Sequence, residues 1–196
     1  MAEPLLVLNG LGKQFGGVQA VKDLSFSIGA AEVVGLIGPN GSGKSTSVNL
    51  ISGTMPPSHG EIRFAGASVA RLSVSERVPL GLARTFQTTS VFPEFSVREQ
   101  ILTACHVRYR SSASGSVFRM ASARREERAQ RAKTQEILAF VGLSAVADEP
   151  ASAVSSAQQR LLMIATALAT EPRLLLLDEP AAGMVAKERK DLAGVI

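Results

Sequence analysis

The stretch Gly38-Pro39-Asn40-Gly41-Ser42-Gly43-Lys44-Ser45, GPNGSGKS, satisfies the pattern GxxxxGK[ST], and Thr46 continues it into a run that reads as a helix, Lys44–Ile51. Ahead of it stands Glu32–Ile37, EVVGLI, which has few polar side chains and predicts a strand buried on both faces. A glycine loop between strand and helix is the context in which this pattern cradles phosphate. The glycines let successive backbone N–H groups turn inward without Cβ clashes, and the helix N-terminus adds partial positive charge. In that setting Lys44 neutralises the β- and γ-phosphates and the Ser45 hydroxyl reaches Mg²⁺. The plain alternative is a glycine-rich turn with a solvated lysine.

Outward from this loop, Leu174–Leu177 continue a short apolar strand, Arg173–Leu177, that ends in Asp178-Glu179-Pro180. Carboxylates at the C-terminal edge of a parallel sheet lie where ligands bind in open α/β folds. Asp178 is therefore a candidate for holding Mg²⁺. Glu179 is a candidate for orienting and deprotonating an attacking water. Read alone, the pair is also compatible with a solvated acidic turn.

Leu5–Leu8 and Val21–Ile28 alternate apolar and polar residues and are separated by Gly16-Gly17, so they predict short paired strands. Gly53 is placed to end the first helix, and Glu61–Phe64 reads as a further strand entered at Gly60. Ser73-x-x-Glu76 and Ser96-x-x-Glu99 match capping boxes. Gln158–Thr170 has helical apolar spacing, and Ser111–Ser116 reads as a turn between helices. The reading is one α/β domain over 1–196: a core from 1–89 and 161–196, with an antiparallel β part at its start, interrupted by a helical subdomain at 90–160.

The 196 residues are 45% hydrophobic and 19% charged, enough material for a core and too little charge for global disorder. The net charge of +4 favours anionic partners without choosing among them. Cys105 is the single cysteine, so an intrachain disulfide or cysteine-rich metal site is excluded. The start Met1-Ala2-Glu3-Pro4 lacks a secretory pattern, and no apolar run reaches the ~18–20 residues of a membrane span. The expectation is a soluble cytoplasmic chain that reaches a membrane only through a partner.

With these residues in place, the chain resembles the ATPase subunits of ABC transporters over nearly its whole length. The resemblance implies ATP and Mg²⁺ as ligands. It gives Gly38 through Thr46 to the phosphates and makes Lys44 and Glu179 catalytic. Phe15, in Lys13-Gln14-Phe15-Gly16-Gly17, takes the place of the aromatic that stacks on adenine; without the resemblance it reads as core. Gln87, in Ala83-Arg84-Thr85-Phe86-Gln87, matches the glutamine that ligates Mg²⁺ and senses the γ-phosphate. Ser155 and Gln158 fall in the signature segment. Ala181–Met184 match the start of the D-loop. Phe15-Gly16-Gly17, Arg84–Gln87, Ala139–Leu143 and Ala181–Met184 look like the branch serving branched-chain amino acid importers and their urea or amide relatives.

Three departures accompany the resemblance. The signature reads Val154-Ser155-Ser156-Ala157-Gln158, with Ala157 in place of a glycine whose backbone approaches a γ-phosphate. Val185 stands where the D-loop has Asp or Asn. The chain ends at Ile196, short of the strand that carries the family's switch histidine, so C-terminal strands are expected to be missing; His59 and His106 lie elsewhere.

The family further implies transmembrane permease subunits and a second ABC ATPase subunit as partners, with the chain peripheral on the inner face of the plasma membrane. Thr88–Glu99 corresponds to the segment that receives a permease helix. Within it, Val91, Phe92, Pro93 and Phe95 are equally compatible with interface and with core. The cluster Arg124–Lys133 is interleaved with Glu126, Glu127 and Glu136 and reads foremost as a solvated helix face. Three functions follow: an importer ATPase, a degenerate nucleotide-binding module without hydrolysis, and a soluble ATPase acting on nucleic acid. Only the net charge suggests the third, and no aromatic–basic interleaving supports nucleic acid as a partner.

Overall fold

The structure is a computed structural model describing residues 3–85, 91–105 and 120–195. His106, the proposed turn Ser111–Ser116, and Gln87 with its neighbours Phe86 and Thr88 lie outside the described residues. The chain divides into two compact units, 1–83 and 84–196.

In the first unit, β1 (Leu6–Phe15) and β2 (Val18–Ile28) form a hairpin turning at Gly16-Gly17, both strands longer than the sequence reading. With β3 (His59–Phe64) and β4 (Ala67–Ser68) they make an antiparallel sheet ordered β2-β1-β3-β4. Leu6 faces Ile28 on one side and Phe64 on the other, and Leu8 faces Phe26 and Ile62. Alternation sends Leu6, Leu8, Ile28, Ile62 and Phe64 into the interior. Leu50 and Ile51 of helix α1 (Lys44–Ser52) are buried as well.

α1 ends where the sequence places the stop. Gly53 adopts the left-handed conformation at φ 84°, and its N–H returns to the last turn. Beyond it, α2 (Val74–Arg77) begins at the expected Ser73/Glu76 capping box. Its last residue, Arg77, was not singled out by sequence reasoning. The side chain is 1% exposed. Its Nη1 donates to Leu50 O at 2.8 Å and Ile51 O at 2.6 Å, and Nε donates to Leu72 O at 2.9 Å. A guanidinium thus closes the negative end of α1, where cations are favoured. Burial lowers the Arg77 pKa, but the group stays charged at any accessible pH.

One expectation is overturned. Glu32–Ile37 is not a buried strand: it joins no ladder, Val33 is 79% exposed and Ile37 is 92% exposed. Among the described residues no strand pairs with it. An apolar run specifies a central strand only when neighbours on both sides accept its hydrogen bonds.

The second unit opens at Arg84, the last residue of β5 (Leu82–Arg84), and Thr85 N–H donates to Leu176 O of β6 (Leu174–Leu176) at 3.0 Å. Three helices, α3 (Val97–Cys105), α4 (Met120–Phe140) and α5 (Ser156–Ala169), share a core. It is built on Val97 and Ile101, Leu138 and Val141, and Leu162, Ala165 and Ala169, spaced three or four apart along each helix. The Ser96/Glu99 capping box opens α3 as expected. On α4, Glu127 pairs with Arg131 at i,i+4 and Lys133 with Glu136 at i,i+3, the laced solvated face read from the sequence. Burial pushes the Cys105 thiol up, which keeps it protonated and unreactive.

α6 (Ala186–Ala193) closes the described chain. Val185 precedes it, and its N–H donates to Glu188 Oε2 at 3.0 Å, one half of a capping box whose other half needs a side-chain oxygen. Val185→Asp is expected to supply that oxygen and stabilise the protein by about 1 kcal/mol, a gain of about 2–4 °C in Tm. An unchanged melting curve would mean that the new carboxylate does not cap the helix.

Candidate nucleotide site

The loop 38–43 rises between the exposed extended segment and α1. Gly43 is the N-cap of α1 at φ 90°, and no side chain caps that end. The first-turn amides of a helix have no intrahelical acceptor, so this end presents them to an external anion. Gly43 is required by space as well as by angle: a Cβ there would stand 2.4 Å from Ala20 O of β2. Gly41 is also left-handed at φ 81°, but a Cβ on it would meet nothing within 4 Å. Ser42 N–H donates to Pro39 O at 3.2 Å and closes the turn.

Lys44 folds back across the loop. Its ammonium donates to Gly38 O and Pro39 O, each at 2.8 Å. An ammonium has three donors, so one remains for a phosphate oxygen. Ser45 is exposed on the first turn, and Thr46 behind it is half-buried. An uncapped helix start, left-handed glycines and a poised ammonium fit a polyphosphate.

Phe15 lies at the hairpin end of β1, 49% exposed, with Lys13 Nζ 5.2 Å from its ring centre. It is not core, contrary to what a lone aromatic near a turn suggests without the resemblance. A half-exposed ring leaves a face for an adenine to cover. His59 lies beside Asp23 at 3.5 Å in the same unit, away from any role in phosphate chemistry assigned by the sequence.

In the second unit, Asp178 follows β6 and is nearly buried. Its Oδ2 accepts from Arg84 Nη2 at 2.8 Å, with the side chains 7% and 9% exposed respectively. Glu179 beside it is exposed, and its backbone sits at φ 47°. Left-handed geometry costs a non-glycine residue about 1–2 kcal/mol, and such strain concentrates at functional positions. Ala182 N–H donates to Glu179 O at 3.0 Å, fixing the turn that displays the carboxylate.

No cluster of three or more His, Cys, Asp or Glu side chains suited to a metal exists among the described residues. Mg²⁺ takes oxygen ligands, and the Ser45 hydroxyl and the Asp178 carboxylate are each of that kind.

The signature segment forms the start of α5. Ser155 is its N-cap, with Gln158 N–H donating to Ser155 Oγ at 3.3 Å and Ser155 N–H to Gln158 Oε1 at 2.9 Å. The Ala157 methyl packs toward Ile164, Met184 and Leu192. Phe92 and Phe95 are exposed, with ring centres 5.5 Å apart, whereas Val91 packs on the helical core. Gln100 holds the Phe92 backbone through both its oxygen and its nitrogen, at 3.1 Å each. The pairing of Arg84 with Asp178 escaped sequence reasoning; its only signal was Arg84 standing in the quoted motif Arg84–Gln87.

The family model described as ABC transporter matches residues 21–182. The chain belongs to the ABC transporter family. The high-affinity branched-chain amino acid transport ATP-binding protein BraF of Pseudomonas aeruginosa is 36% identical over 196 residues, spanning 100% of this chain and 77% of the relative. LivG of Escherichia coli K12, with the same description, shows the same 36% identity and the same coverage. The ribose import ATP-binding protein RbsA 2 of Rhizobium etli is also 36% identical over 196 residues, which make up 36% of its length. Among solved structures, an ATP-binding cassette of an ABC transporter in its ADP conformation superposes with a TM-score of 0.82 at 32% identity, covering 99% of this chain and 76% of its own. A nucleotide-free cassette gives 0.79 at 32% identity, covering 97% and 74%. The α/β cassette fold, with its N-terminal antiparallel sheet, is the one expected from the sequence.

Proposed function

We propose that the chain is the ATP-binding subunit of an ABC importer and couples the binding and hydrolysis of Mg-ATP to uptake of branched-chain amino acids. The observation that carries the proposal is the start of α1, a helix end with no side-chain cap, entered through left-handed Gly43 and faced by the Lys44 ammonium. The amides of Lys44, Ser45 and Thr46 receive phosphate oxygens, and Lys44 neutralises charge on the β- and γ-phosphates. Phe15 lends its exposed face to the adenine. Ser45, Asp178 and Gln87 would hold Mg²⁺, which offsets the charge that builds on the phosphates. Glu179 orients the attacking water and accepts its proton. The amino acid substrate rests on the likeness to BraF and LivG at 36% identity.

On this reading the chain works with permease subunits and a second ATPase subunit, and reaches the membrane through them. No helix among the described residues is long and apolar enough to cross one. A second reading, a nucleotide-holding module without turnover, is favoured by Ala157 and Val185, which replace a glycine and a polar side chain in the segments serving a partner's nucleotide.

Phosphate release from the purified chain with Mg-ATP, run beside Glu179→Gln, separates the two. Turnover that falls by about 10²–10⁴-fold in the variant, with ATP binding retained, is expected for the ATPase. Folded protein that binds ATP and releases no phosphate would establish the holding module instead.

A further inference from the structure

Asp178 is buried, and the structure gives it one hydrogen-bonded partner among the described residues, the Arg84 guanidinium on Oδ2. The pairing of Thr85 N–H with Leu176 O brings Arg84 alongside the end of β6. The single bond at Oδ2 restrains the carboxylate, and its other oxygen, Oδ1, accepts no hydrogen bond from the described residues. We infer that Arg84 is a positioning residue for magnesium: it fixes the Asp178 carboxylate so that Oδ1 meets the metal's shell when Mg-nucleotide binds. The inference rests on the proposed ATP-binding role and extends it to a residue that touches neither nucleotide nor metal.

Two opposing effects compete at this site. The guanidinium charge repels Mg²⁺, while its hydrogen bond restrains the carboxylate that would ligate it. Orientation outweighs repulsion, because a carboxylate released from its partner is free to turn its oxygens away from the metal. Loss of a residue that orients a metal ligand typically lowers metal affinity 10–100-fold.

The test measures the affinity of a fluorescent ATP analogue for the purified chain in Mg²⁺ and in EDTA. Wild type, Arg84→Met and Arg84→Lys are compared, each checked for a cooperative melt. The expected result is an affinity in EDTA that is unchanged within about twofold, with the gain on adding Mg²⁺ reduced about tenfold or more in Arg84→Met. Arg84→Lys, which keeps the charge but not the fork, falls between. An Mg²⁺ gain equal to or larger than wild type in Arg84→Met overturns the inference. Should that variant not fold, a wild-type gain in Arg84→Lys overturns it. If wild type itself binds no nucleotide, the ATP-binding reading fails and takes the inference with it, an outcome visible before any variant is compared.

Discussion

Gly43→Ala is expected to abolish nucleotide binding and to lower stability by about 3 kcal/mol, or roughly 6–12 °C in Tm. Two independent costs combine at this residue. Its φ of 90° is unfavourable for any residue with a Cβ. The added atom would also stand 2.4 Å from Ala20 O, a backbone atom of β2 that cannot rotate away. Relief requires α1 to retreat from β2, which moves the first-turn amides and Lys44 away from the phosphates. Gly41→Ala is the matched control: its φ of 81° carries similar strain, but nothing lies within 4 Å of its Cβ. It should lose about 1–2 kcal/mol and keep measurable binding. Calorimetric titration with ATP and thermal melts of both variants check this; equal binding losses would mean that backbone angle alone, not the contact with Ala20, sets the loop.

The second large effect is at Asp178. Asp178→Ala leaves the Arg84 guanidinium buried and without its carboxylate, and breaking a buried pair from one side typically costs about 3–5 kcal/mol. The double variant Arg84→Met/Asp178→Leu removes both charges and should recover most of that loss, because the pair's attraction and its desolvation nearly cancel. Urea midpoints for Arg84→Met, Asp178→Leu and the double variant complete the cycle. A double variant no more stable than Asp178→Ala would show that packing of the side chains, not loss of the Arg84–Asp178 bond, set the cost.

The sequence made the phosphate loop legible because its requirement is local. Gly43, Lys44 and the helix after them act within a few residues of each other, and Gly53 likewise declares the end of α1. The capping boxes at Ser73 and Ser96 are legible for the same reason. Glu32–Ile37 failed because a central strand is defined by its neighbours, and a short run with Val33, Val34, Leu36 and Ile37 says nothing of whether partners lie beside it. Arg84 and Asp178 stand 94 positions apart, so nothing in either local pattern announces their bond. Phe15 sits between the two cases: its exposure follows from the hairpin end, which Gly16-Gly17 marks, but not from being aromatic.

Arg77 and Gly53 have a consequence for how this segment can change over generations of substitution. A Cβ at Gly53 would lie 2.7 Å from Arg77 Nε and 2.8 Å from Leu72 O. Shortening Arg77 to make room would strand the Leu50, Ile51 and Leu72 carbonyls that its guanidinium serves. Neither position can be altered first without loss, and a lysine at 77 could shed its proton in that interior where arginine does not. The two residues are therefore expected to change only together, because a route through either single substitution crosses a less stable intermediate.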